Sequence, residues 1–296
     1  MNVKACVMLS SYNGEKYIEK QILSVLAQAD VDVRLCIRDD GSSDGTVHII
    51  RDLMKQTDRI SLSEARNIGY AKSFWSLLLE NDGSCDYYAF CDQDDIWDQK
   101  KLAAAISLLD RKSDIPALYV SRVVSVNNRM ETLSTNCFHT RGAVNTYEIF
   151  QKSCFPGCVF VFNQKALELI RQYHGYMESH DWAVYSIVSV FGEIIYDNSS
   201  YILYRIHDQN TIGNRGRLGE LQIKIKRLFN PSKHTRSHFA RDFITYFGER
   251  ITDKNIRNYI SDIGNYRENG KSKWRLILNP RYHNLVFRIM IILNRV

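Results

Sequence analysis

Proline is scarce, with four in 296 residues, which excludes a proline-rich linker or a stiff extended tract. No apolar run approaches the ~18 uncharged residues of a membrane-spanning helix. The first run, ACVML after Lys4, is too short for a signal-peptide core and has no small-residue cleavage site. A cytoplasmic protein is expected, with peripheral contact at the inner face of the cell membrane as its membrane option. No two cysteines are spaced C-x-x-C. The seven thiols (Cys6, Cys36, Cys85, Cys91, Cys137, Cys154, Cys158) are odd in number, and Cys154 and Cys158 lack a paired-histidine block, so zinc is disfavoured. Several lie inside apolar runs such as KACVML and VRLCIR, as buried thiols of a reducing compartment do. GxGxxG and GxxxxGK[ST] are missing, which removes the best support for dinucleotide-binding and P-loop readings. Neither internal repeats nor low-complexity tracts occur.

What is present is globular in character: hydrophobic residues make up 45% and charged residues 24%, enough for a core that folds without staples. Charge is uneven. Residues 1–214 carry 21 Lys/Arg against 27 Asp/Glu, while residues 215–296 carry 18 against 6. An acidic body and a basic tail imply different partners.

In the body, short apolar runs alternate with amphipathic segments. VKACVML, DVRLCI, DYYAFC, ALYVSRVVSV and CVFVFN read as strands. Tyr17, Ile18, Ile22, Val25 and Leu26 share one helical face, and helices are predicted over TVHIIRDLMKQ, AKSFWSLLLEN, about 99–111 and QKALELIRQY. The order implies an α/β layered fold with a largely parallel sheet. In such sheets ligands bind beyond the carboxyl ends of strands, and each acidic cluster follows an apolar run.

Four clusters carry candidate chemistry. In Asp39-Asp40-Gly41-Ser42-Ser43-Asp44-Gly45, a carboxylate at a strand end can accept from a pyrimidine imide; equally, the string is a turn capping the next helix through Ser43 or Asp44. In Cys91-Asp92-Gln93-Asp94-Asp95, three mutually repelling carboxylates between apolar flanks call for a cation, and hard oxygen ligands suit Mg²⁺ or Mn²⁺; the alternative is a solvated turn. Ser179-His180-Asp181-Trp182 offers Asp181 as a general base, or as a helix N-cap. Arg205 and His207 in YRIHDQN could neutralise phosphate and ligate metal, although a lone histidine is more often structural.

Taken in order, LSSYNGEKYIEKQILSVLAQ, IRDDGSSDGT, NIGYAKSFWSLL, FCDQDDIWDQKKL, FPGCVFVFN, SHDW and YRIHDQNTIG resemble family 2 glycosyltransferases of the GT-A fold, in particular bacterial rhamnosyltransferase-like members. The resemblance covers residues 1–214. It implies an α/β/α sandwich with a mainly parallel mixed sheet, an inverting displacement and a Mn²⁺ or Mg²⁺ cofactor. By position it implies that Ser11, Tyr12, Asn13, Asp40, Lys72, Asp92, Asp94 and Arg205 hold the nucleotide-sugar donor. Asp94 and His207 take the metal, Asp181 is the catalytic base, and Gly157, Cys158, His180 and Trp182 face the acceptor. One departure stands out: the carboxylate pair often written Glu-Asp is His180-Asp181 here. The expected donor is dTDP-L-rhamnose, with UDP-sugars sharing most contacts, and the acceptor is a saccharide or lipid-linked saccharide. A nucleotidyltransferase and a non-catalytic nucleotide-sugar binder are the rivals.

Residues 215–296 form a basic amphipathic helical segment, in which Trp274, Leu276, Ile277, Leu278, Phe287, Ile289 and Ile291 are interleaved with Lys and Arg. Such a segment either lies on an anionic membrane surface or packs on the main domain or a second copy in a homodimer. Nucleic acid is not expected, because no recognised binding motif accompanies the charge.

Overall fold

The computed structural model describes residues 3–135, 145–151, 155–207, 235–279 and 285–296. Strand β1 (Lys4–Ser11) lies between β2 (Asp32–Asp39) and β4 (Tyr87–Cys91), with β3 (Ile60–Glu64) beyond β2, all in parallel register. Ala5 to Leu9 are at most 1% exposed. A strand covered on both faces reads as a continuous apolar run, not an alternating one. Helices α1 (Ile18–Leu26), α2 (Thr46–Met54) and α3 (Tyr70–Glu80) make the crossovers. The face predicted for α1 is buried at Ile18, Ile22 and Val25, and Gln21 joins it by donating to Cys91 Sγ at 2.8 Å.

The chain continues through β5 (Ile96–Trp97), α4 (Lys101–Leu109), β6 (Ala117–Val126), β7 (Thr132–Ser134), α5 (Thr146–Ile149), β8 (Val161–Asn163), α6 (Gln164–Ile170), α7 (His180–Phe191) and β9 (Glu193–Arg205). The sheet order is β3-β2-β1-β4-β8-β6-β9-β5, with β7 on β6. The expected parallel half is there. The other half turns antiparallel at β4–β8, β8–β6 and β9–β5, while β6 and β9 run parallel. Two details depart from the sequence reading. CVFVFN is not one strand: Gly157–Val159 form a 3-10 turn and only Val161–Asn163 pair. Residues 193–205, which the sequence reading assigns to no element, form one long strand; register shifts against β6 around Arg122 absorb Asp-Asn-Ser-Ser as a bulge.

The C-terminal helices are α8 (Thr235–Phe247), α9 (Lys254–Asn265), α10 (Gly270–Leu278) and α11 (Leu285–Ile292). Asp253 caps α9, accepting from Asn255 N at 2.7 Å, and Asn269 caps α10. Phe239 of α8 stacks 4.6 Å from Trp182 of α7, and Phe243 meets Phe150 edge-on at 5.2 Å. Helix α8 therefore shares the main core, as the packing alternative anticipates. The boundary at residue 214 and the stretch GRLGELQIKIKRLFN lie outside the described residues, as do Cys137 and Cys154. None of Cys6, Cys36, Cys85, Cys91 and Cys158 is in a disulfide. Among the described residues no helix is long and apolar enough to cross a membrane.

Candidate active site

The carboxyl ends of β1, β2 and β4 open onto a cavity of about 670 Å³ whose lining includes Tyr12, Asn13, Asp40, Asp92, Asp94, Gly157, His180, Asp181 and His207. Four acidic side chains from three separated stretches of the sequence thus share one space. The volume suits a ligand larger than a monosaccharide.

The first wall is the turn after β1 laced to the turn after β2. Asp39 accepts from Ser11 Oγ (2.8 Å), Gly41 N (3.1 Å), Ser42 N (2.7 Å) and Ser42 Oγ (2.6 Å). Gly41 takes φ 83° there, a conformation that costs glycine least. Asn13 Oδ1 accepts from Ser43 N at 2.8 Å. Asp44 accepts from Thr46 N at 3.0 Å, while Gly45 holds the cap position of α2. Ser11 is buried and does not line the cavity; it acts through Asp39. The string Gly41-Ser42-Ser43-Asp44-Gly45 also fits the G-x-S-x-G pattern of a nucleophile turn, but Ser43 directs its hydroxyl at Asn13 Oδ1 (3.4 Å), not at an imidazole.

Asp40 is 2% exposed and pairs with Arg38, while Ile68 N (3.0 Å) and Gly69 N (2.9 Å) donate to Oδ2. Most of its lone-pair capacity is engaged. Asp40 thereby fixes the 67–69 segment, whose Asn67 and Gly69 also line the cavity. Sequence reasoning quoted Asn67-Ile68-Gly69 within a matching motif but gave it no role, because its partner is a side chain 28 residues earlier. It also missed Gln93, which latches the two turns by accepting from Tyr12 N (2.8 Å) and donating to Tyr12 O (3.0 Å).

The acidic loop after β4 divides its three carboxylates. Asp94 faces the cavity with His207 Nε2 at 2.8 Å from its Oδ2. Asp92 faces it too; burial, and then the charges of Asp94 and Asp181, push its carboxyl up to about 7. Asp95 turns inward, accepting from Arg205 N at 3.0 Å, and its other oxygen is buried without a hydrogen-bond partner. Arg205 donates from Nε to the Asp94 carbonyl (2.8 Å) and lies over the Tyr17 ring, which also stacks on His207 at 4.9 Å. Arg205 is thus a brace for the acidic loop and is not in the cavity lining, contrary to the donor contact expected of it. Cys158, expected on the acceptor side, is fully buried beneath Asp92 and Asp95, their ligand atoms within 4.8 Å of one another. Burial pushes its thiol well up, and soft sulfur is a poor match for a hard cation such as Mg²⁺ or Mn²⁺. Asp94 and His207, 2.8 Å apart in the cavity lining, suit a hard divalent ion better, with Asp92 on the same lining, and a cation would offset both the burial and the neighbouring charges that raise Asp92.

On the far wall Ser179 is the N-cap of α7, so Asp181 is not the cap. It sits in the first turn, where the helix end favours a carboxylate, and its Oδ1 accepts from Trp182 N at 2.7 Å. Trp182 itself lies behind the wall, donating from Nε1 to Ile149 O (2.7 Å). Lys72 is exposed on α3, outside the lining. His180 is 4% exposed, stacked on Phe74 at 4.2 Å and edge-on to Phe90 at 4.9 Å, with neither ring nitrogen hydrogen-bonded. A Cβ on residue 157 would come within 2.5 Å of its Nε2, so Gly157 is what admits the ring.

That box holds the imidazole down at about 4 through burial. A folded-state value below the unfolded ~6.5 means that the unfolded chain binds the extra proton first, so stability falls as pH drops from about 6.5 to 4. Asp92, raised in the fold, pulls the other way over this range. The observable is therefore the difference between wild type and His180→Phe. In urea titrations their stabilities should diverge by up to about 3 kcal/mol, in favour of phenylalanine, as pH falls from 7 to 4. Parallel pH curves would show that the imidazole is not held neutral.

Mixed α/β layers and a carboxylate-lined cavity at strand carboxyl ends fit the GT-A class of fold. Residues 6–171 match glycosyl transferase family 2, and the chain belongs to that family: it is a glycosyltransferase. It is 27% identical over 262 residues, 84% of this chain and 86% of the relative, to dTDP-rhamnosyl transferase RfbG of Shigella flexneri. It is 29% identical over 161 residues, 54% of this chain and 60% of the relative, to the UDP-Glc:alpha-D-GlcNAc-diphosphoundecaprenol beta-1,3-glucosyltransferase WfgD of Escherichia coli. Among solved structures, S. aureus TarS 1-349 in complex with UDP-GlcNAc shares the fold at TM-score 0.60 and 14% identity, over 99% of this chain and 90% of that one.

Proposed function

We propose that this glycosyltransferase is inverting and metal-dependent, and that it transfers L-rhamnose from dTDP-L-rhamnose to a saccharide or lipid-linked saccharide in bacterial cell-surface polysaccharide synthesis. The observation that carries the reading is the meeting of Asp40, Asp92, Asp94, His207 and Asp181 around one cavity. The rhamnosyl relative, matched over most of both chains, supports the donor.

The nucleotide lies along the Tyr12–Asn13 and 67–69 walls, with its diphosphate toward Asp94. Asp94 and His207, with Asp92 beside them, would hold a Mn²⁺ or Mg²⁺ ion that neutralises the leaving diphosphate. From the opposite wall, Asp181 accepts the proton of an acceptor hydroxyl as its oxygen bonds to the anomeric carbon. The anomeric C–O bond breaks, its electron pair leaves with the β-phosphate, and nucleoside diphosphate is released with inversion. Gly157 and His180 border the acceptor's approach.

A second reading, transfer from a UDP-sugar, is favoured by the similarity to the glucosyltransferase. The test is a thermal-shift screen of dTDP-L-rhamnose, UDP-glucose, UDP-GlcNAc and GDP-mannose with Mn²⁺, followed by product analysis. The dTDP-sugar should give the largest shift and release dTDP. A larger shift with a UDP-sugar moves the assignment to the second reading, pyrophosphate release in a separate incubation with dTTP and a sugar 1-phosphate would mark a nucleotidyltransferase, and donor binding without turnover would mark a binding protein.

A further inference from the structure

Among the described residues, helices α10 and α11 are seated on the protein by one face. Leu276, Phe287 and Ile291 are at most 2% exposed, and the segment is tied down where Val296 N donates to Tyr266 Oη at 2.9 Å. The opposite face is also apolar. Trp274, Leu278, Leu285, Val286, Ile292 and Leu293 are each 51–70% exposed. Single exposed apolar residues are ordinary, but a cluster of six on two adjoining helices signals an interaction surface.

The charge around this face selects the occupant. From Gly270 to Val296 the chain has six Lys/Arg and no Asp or Glu. Lys271 is exposed beside the patch, and Lys273 is held by Ile292 O (3.1 Å) and Asn294 Oδ1 (2.9 Å) at its edge. Two copies joined face to face would set like charge against like. An anionic lipid surface instead neutralises the cations while its acyl boundary takes the apolar side chains. Helices of 9 and 8 residues are too short to span a bilayer and would lie in its plane.

We infer that the outer face of α10 and α11 is a peripheral membrane-docking surface for anionic phospholipid. It does not depend on which sugar is transferred. Helix α10 packs on α9 and α9 on α8, and Phe239 of α8 meets Trp182 of α7, which carries Asp181, so docking would tether the catalytic wall to a bilayer.

The test uses the full chain and sucrose-loaded vesicles, with no sugar present. Vesicles of 30% phosphatidylglycerol in phosphatidylcholine should co-sediment the protein at about 0.1 M salt, more weakly at 0.5 M, and pure phosphatidylcholine should do so at least tenfold less. The outward-facing triple variant Trp274→Ser, Leu278→Ser, Leu285→Ser should lose at least tenfold in partitioning while its melting temperature and donor hydrolysis in solution stay unchanged. Failure of wild type to sediment with anionic vesicles, or equal sedimentation of the variant, overturns the proposal. So does a wild-type dimer that the variant abolishes without any vesicle binding.

Discussion

Asp181→Asn is expected to lower kcat for sugar transfer by about 10²–10⁴, the range general-base assistance supplies, with donor affinity within about threefold of wild type. The substitution is nearly isosteric. The amide oxygen can still accept the Trp182 N–H that Oδ1 now accepts at 2.7 Å, and the cap at Ser179 is untouched, so α7 should keep its first turn. What disappears is the ability to take a proton. Single-turnover transfer and calorimetric titration of the donor separate the two quantities. Equal loss of donor binding and transfer would show that Asp181 serves the architecture of the cavity and not the chemical step.

Asp94→Ala is expected to abolish the metal-dependent part of donor binding. Wild type should bind the nucleoside diphosphate roughly 100-fold more tightly with Mn²⁺ than with chelator, equivalent to about 2.7 kcal/mol; the variant should give the same weak affinity in both. The loop itself should survive, because Arg205 Nε holds the Asp94 main-chain carbonyl and Asp95 accepts from Arg205 N. His207 would lose its 2.8 Å partner. A variant that retains the Mn²⁺ effect would move the ion elsewhere, to the Asp92 and Asp95 side of the loop.

The two substitutions test opposite walls of one cavity, so they should fail differently: Asp181→Asn in turnover with binding intact, Asp94→Ala in binding first. Identical phenotypes would point to a shared folding defect, which the melting temperature would report.

Local pattern determined a good deal. The run VKACVML is a strand covered on both faces, DVRLCI a strand that buries Val33, Leu35 and Ile37, and α1 buries the face its spacing marks; the acidic clusters after β2, β4 and β9 stand where strands end, whereas Asp181 opens a helix. Pattern also singled out Asp94, His207 and Asp181, which the fold brings to one cavity, because the chemistry of a carboxylate and an imidazole is written in residue type. Tertiary structure alone decided which side chains turn inward. Arg205, Cys158, Trp182 and Lys72 sit within or beside the quoted motifs, yet a brace, a buried thiol, a core ring and a solvent-exposed cation are what the fold makes of them. Direction around a helix or loop depends on contacts with residues 28 to 111 positions away, and no local window contains those. The same holds at the chain's end. Composition could not choose between a packed and an unpartnered basic segment, whereas the fold gives α8 to the core and leaves the outer face of α10 and α11 uncovered, because burial is set by what else reaches that surface.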